Sequence, residues 1–175
     1  MHIASHIPLR GDLKIITRDA ATKAIIDVWD KKNVITFLAA DDLVRLLAPN
    51  ASFGATIQEE SQIKSMRFGT SNVAPQRSDT ALNAEAVVTG IPVRVELLDA
   101  NRLIGVGGTV EFTAVLDSTM ANGVTLREAG LFTRGTADDP QTTSSALLFA
   151  HQVFPDQPKT SAVELEFRWR ISFTV

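Results

Sequence analysis

The chain has 175 residues, of which 45% are hydrophobic and 21% charged, and its formal net charge is −3. That length supports one domain with a real core, and the balance of charge gives no basic footprint for nucleic acid or an anionic membrane surface. With no cysteine there is no disulfide, no thiolate metal site and no cysteine nucleophile, and no apolar run approaches the roughly 20 residues of a membrane-spanning helix.

Residues 1–12 read as an arm, with Pro8 and Gly11 breaking regular structure. Met1 to Pro8 has no charged segment leading into an apolar core, so it does not read as a signal peptide. Two short β-rich runs follow, Leu13 to Arg18 and Ile25 to Asp30. The loop Asp19 to Lys23 lies between them, which predicts a hairpin. An isolated hairpin is marginal in water, so this one is expected to pack on the main body or on a neighbouring subunit. Thr36 to Ala48 predicts a helix. Thr36 suits an N-cap, Phe37, Leu38, Leu43, Val44, Leu46 and Leu47 make an apolar face, and Pro49-Asn50 stops it. Residues 51–62 read as loop.

Strands are then expected at short spacing: Ile63 to Phe68, Pro92 to Asp99, Val106 to Asp117, Val124 to Thr133 and Ala146 to Phe154. Polar connectors separate them at 70–85, 134–145 and 155–161, and Asn122-Gly123 is a tight-turn signal. Val163 to Val175 alternates apolar and polar residues without a break. That period of two predicts a long strand, with Leu165, Phe167, Trp169, Ile171 and Phe173 inward and Glu164, Glu166, Arg168 and Arg170 outward. The expected fold is mainly β, an antiparallel β-sandwich with an N-terminal β-hairpin arm and one α-helix. It divides into arm and hairpin at 1–34, helix and loop at 35–62, and sandwich at 63–175.

The residue types that carry catalysis are thinly spread. His2 and His6 share a helical spacing, but no acidic third ligand accompanies them in a terminal arm, so metal binding is not expected there. His151 lies in the apolar run Leu147 to His151, where a structural or interface role suits it better than that of a general base. Gly105-Val106-Gly107-Gly108-Thr109 lacks the Gly-Lys-Ser/Thr of a phosphate loop and enters a strand, so it reads as a β-turn. Glu59-Glu60 and Asp138-Asp139 read as solvated loop charge. In Val124 to Phe132 the alternation places Glu128 on the face of Val124 and Leu126. A carboxylate there needs backbone N–H groups or a cation as partner. Gly130 allows a bulge or a close backbone approach. Two readings stand for Arg127-Glu128: a polar anchor in a subunit interface, or a strand-end salt bridge.

Leu126-Arg127-Glu128-Ala129-Gly130-Leu131-Phe132, followed by a polar loop and Ala146 to Ala150, resembles a strand pair of tailed-bacteriophage tail, baseplate and fibre-attachment proteins. Two further pieces are similar to that family. One is Ile63 to Thr70 with Ala74-Pro75 and Asp79-Thr80-Ala81-Leu82. The other is Thr17-Arg18-Asp19-Ala20 with Asn33-Val34-Ile35-Thr36. The hairpin loop lacks the glycine such proteins would carry, and no fibre shaft follows. The resemblance implies a non-enzymatic virion structural subunit, of tail, baseplate or fibre-adaptor (collar) type. It implies a homo-oligomer, most simply a trimer or larger ring, with other virion proteins as partners. No cofactor, nucleic acid or membrane is expected. Ile26, Val28, Trp29, Arg127, Glu128, Gly130, Leu131 and Phe132 would form the interface. The alternatives are a capsid or neck decoration protein, or a receptor- or carbohydrate-binding sandwich.

Overall fold

The computed structural model describes residues 9–39, 62–105, 108–133 and 146–173. Twelve strands lie among them: β1 (Leu9–Asp19), β2 (Ile25–Lys32), β3 (Val34–Ile35), β4 (Ile63–Gly69), β5 (Val87–Val88), β6 (Ile91–Pro92), β7 (Arg94–Glu96), β8 (Arg102–Gly105), β9 (Thr109–Leu116), β10 (Val124–Thr133), β11 (Leu148–Lys159) and β12 (Val163–Phe173). They form two five-stranded antiparallel sheets, ordered β2-β1-β12-β9-β8 and β3-β11-β10-β4-β7, with a small β5-β6 pair beside them. The two large sheets pack face to face as a β-sandwich.

The alternating stretch at 163–173 is the middle strand of the first sheet. It pairs with β1 from Leu9↔Phe173 to Asp19↔Val163, and with β9 from Leu165↔Leu116 to Ser172↔Thr109. Leu165, Phe167, Trp169 and Ile171 are buried, and their neighbours Leu13, Ile15, Phe112, Ala114 and Leu116 continue the apolar face. Phe173, expected inward, is instead 38% exposed at the end of the strand. Phe68 and Phe154 of the second sheet stack on Phe167 of the first, with ring centres 4.6 Å and 5.8 Å apart. Burial of apolar surface stabilises at about 25 cal/mol per Å², and aromatic pairs add about 0.5–1.5 kcal/mol each.

The N-terminal hairpin is present as β1 and β2. Its first strand is an inner strand of the main sheet, however, so residues 9–34 belong to the sandwich and do not form a separate arm. The reason is visible in the side chains: Leu13 and Ile15 lose all contact with solvent when paired with Trp169 and Phe167. β2 keeps some of the expected independence. It is an edge strand, and all its residues except the half-buried Trp29 are exposed.

The expected helix starts where its cap predicts. Residues 37–39 are helical, and the Thr36 hydroxyl oxygen accepts from the Ala39 N–H at 3.4 Å. Residues 40–48 of that expectation, and the 134–145 loop, lie outside the described residues. Two strand boundaries differ from expectation. The run Pro92 to Asp99 is broken into Ile91–Pro92 and Arg94–Glu96, because the Val93 N–H donates to Ala86 O and its carbonyl accepts from Phe68. β11 runs through Pro155 and Pro158 to Lys159, where a loop was expected. Pro155 falls in a bulge that leaves Phe154, Pro155 and Asp156 without partners on β10. β3 pairs only with Ala150 and His151, so among the described residues the rest of β11 is an edge, where proline is tolerated.

Candidate functional site

The outer face of the second sheet carries the most concentrated chemistry among the described residues. Glu128 on β10 is fully buried. The register places Gly130 opposite His151 on β11 and opposite Arg67 on β4, so Glu128, Gly130 and His151 share one face. The connector between β4 and β5 crosses that face. His151 bridges two carboxylates: Nδ1 lies 2.8 Å from Asp79 Oδ2 on the connector, and Nε2 lies 2.9 Å from Glu128 Oε2. Glu128 also accepts backbone N–H groups of the connector, from Ala84 at 2.7 Å, Asn83 at 3.0 Å and Ser71 at 3.4 Å. One carboxylate thereby holds both limbs of the connector.

The glycines make room for this. A Cβ at Gly69 would lie 2.4 Å from Glu128 Oε1 and 2.5 Å from Ala84 O. A Cβ at Gly130 would lie 2.6 Å from Leu148 Cδ1 and 3.1 Å from Leu82 of the connector. Arg67 adds a cation over the Phe132 ring at 4.3 Å. Asp79 also accepts the Gln76 N–H at 2.8 Å, closing the connector's own turn.

Burial alone would lower the His151 pKa. Hydrogen bonds and charge from Glu128 and Asp79 outweigh it and raise the pKa above the usual 6.5. For Glu128, burial alone would raise the pKa. The hydrogen bonds of His151, Ala84 and Asn83 hold it below the usual 4.5. The set is therefore a buried histidine between two carboxylates, which favour its charged form. A general base needs a free ring nitrogen facing its substrate, and here both nitrogens are engaged and His151 is wholly buried. The arrangement can clamp the connector to the sheet. Among the described residues no three His, Asp or Glu side chains are placed to hold a metal ion. The groove lined by Lys14, Asp30, Lys32, Glu111, Arg168 and Arg170, of about 480 Å³, is open and mixed in charge.

The interface residues expected from sequence separate into two groups. Ile26 and Val28 are exposed on β2, at 60% and 46%, and Trp29 beside them is half-buried against Phe154, ring centres 6.0 Å apart. Glu128, Gly130, Leu131 and Phe132 are buried inside the chain. The expected face for Glu128 is not the observed one: a bulge between Leu126 and Glu128 turns it away from Leu126 to the outer face, where it anchors the chain's own backbone and His151. Arg127 makes the strand salt bridge, with Nε 2.8 Å and Nη2 3.0 Å from the two Asp156 oxygens, and Nη1 donating to Thr70 O. Asp79 and the N–H groups of Asn83 and Ala84 were not expected at this site. The only signal for them was the unpaired carboxylate itself. Comparison with protein-family models, with curated proteins and with solved structures finds no match.

Proposed function

We propose that the chain is a non-enzymatic structural subunit of a tailed-bacteriophage virion, of tail, baseplate or fibre-adaptor type, and that it works as a homo-oligomer. The observation that carries the assembly reading is the placement of exposed apolar side chains on both edges of one sheet. On β2 these are Ile25, Ile26 and Val28; on β8 they are Leu103 and Ile104, the latter 85% exposed. Monomeric proteins blunt their sheet edges, whereas apolar edges suit a chain that is covered by neighbours. The virion reading rests on the order of motifs along the chain. The clamped connector supports it too, because it makes a rigid face out of the strand that the resemblance singles out. Sedimentation velocity and negative-stain microscopy of the purified chain test the first part, with discrete closed oligomers expected. Immunogold labelling of purified phage particles from a lysate tests the second. Label on the tail or its attachments is expected, and particles without label would overturn it.

A further inference from the structure

β2 is the longer free edge of the first sheet, and among the described residues nothing pairs with its outer side. A strand added there must meet its outward-pointing N–H and C=O groups. These occur on every second residue, so two copies of β2 can pair antiparallel only in registers that match residues of like parity. Past the bulge opposite Thr17 and Arg18, the regular part of β2 is Asp27 to Lys32. Few registers remain. Centred on Asp30, the pair sets two aspartates face to face. Centred on Lys31, it sets two lysines face to face. Centred on Val28, it opposes no charges. Centred on Trp29, it places Asp27 opposite Lys31 twice, with Val28 opposite Asp30 and no like charges opposed.

We propose that a second copy of this chain docks on β2 in that last register, about a two-fold axis through Trp29, joining the two first sheets into one of ten strands. The proposal rests on the homo-oligomer reading above and names its contact. Charge complementarity selects the register. The two Trp29 rings meet on the inward face, each already leaning on its own Phe154. The other edge does not offer an equal match. The five strands alternate in direction, so β2 and β8 run the same way. A head-to-tail contact would therefore pair them in parallel, along only the four residues of β8.

The test is sedimentation velocity of the full chain from about 1 to about 100 μM, the range of ordinary reversible dimers. The wild type is compared with Asp27→Lys, Lys31→Asp and the double exchange, both positions carrying exposed side chains. Each single exchange should weaken the dimer about tenfold, or about 1.4 kcal/mol. The double exchange should restore it to within about threefold. Because the chain has no cysteine, a D27C/K31C variant should also form a disulfide-linked dimer on oxidation. D27C alone should not, since its two copies lie far apart in this register. An oligomer indifferent to all of these substitutions would overturn the β2 contact and leave the homo-oligomer reading standing. Loss of that oligomer on Leu103→Ser or Ile104→Ser would assign it to β8. A wild type monomeric at every concentration would overturn both.

Discussion

Replacing Glu128 with glutamine should cost the fold about 3–5 kcal/mol, the range for breaking a buried ion pair by removing one partner. The side chains are nearly the same size, so the effect isolates charge and hydrogen bonding. Oε2 serves the Asn83 N–H and His151 Nε2, and Oε1 serves the Ala84 and Ser71 N–H groups. Glutamine has one acceptor oxygen and one NH2 group. Whichever way the amide turns, two donors then point at another donor. Hydrogen bonds to a charged group are worth about 1.5–3 kcal/mol each. The loss is a large part of the roughly 5–15 kcal/mol that holds a typical domain together. Urea unfolding at pH 6 measures it as a lowered midpoint at unchanged slope. Hydrogen exchange adds the location: the amides of Ser71, Asn83 and Ala84 should lose protection before those of Leu165 to Ile171. A midpoint within about 0.5 kcal/mol of the parent, with those amides equally protected, would refute the clamp.

Other expectations follow from the same geometry. His151 has a raised pKa in the fold, so its contribution is complete below pH 6.5 and is lost as pH rises through the folded-state value. Glu128 has a lowered pKa, so its contribution is complete above pH 4.5 and is lost as pH falls through its folded-state value. The clamp is therefore strongest between these limits, and urea midpoints across pH should show its share vanish in His151→Leu; Arg67 and Glu85, the other charges near this face, are unchanged in that variant. Gly69→Ala should cost about 1–3 kcal/mol by displacing Ala84 and Glu128, read from thermal melts. Trp169→Ala should cost about 3–5 kcal/mol, as for a fully buried aromatic. Arg168→Ala, whose partner is Glu166 at the surface, should cost no more than about 1 kcal/mol. Equal losses in those two variants would contradict the register of β12.

What the sequence made legible was whatever depends on a strand's own period. β12 shows its inward row because Leu165, Phe167, Trp169 and Ile171 alternate with charges, whereas on β10 the bulge between Leu126 and Glu128 turns Glu128 to the outer face, against the alternation. β8 was missed: Leu103 and Ile104 are adjacent and both exposed, so the strand has no alternation to show. The far half of β11 was missed because Pro155 and Pro158 normally break a ladder, and the open edge that tolerates them is a property of sheet order. The clamp lay further out of reach. Glu128 and His151 are 23 positions apart, and the irregularity between Leu131 and Phe132 shifts the register of the hairpin that joins them. Asp79 comes from an irregular connector whose path no periodicity describes. The hairpin was visible, but its place inside the sheet was not, because Leu13 and Ile15 meet their partners more than 150 positions away.

That last separation has a kinetic cost. β1 and β9 are not neighbours; β12 lies between them, and the hairpins β1-β2 and β8-β9 stay unjoined until β12 slides in. At about 5–20 residues per second of synthesis, β12 leaves the ribosome seconds after β9. During that interval two strand edges stand open, backed by Leu13, Ile15 and Phe112, and pairing across such sequence distances is intrinsically slow. The nascent chain thus passes through a state with adhesive edges. Expression at low temperature or with excess chaperone should raise the soluble yield of this protein more than it would for a sandwich whose central strand is made early.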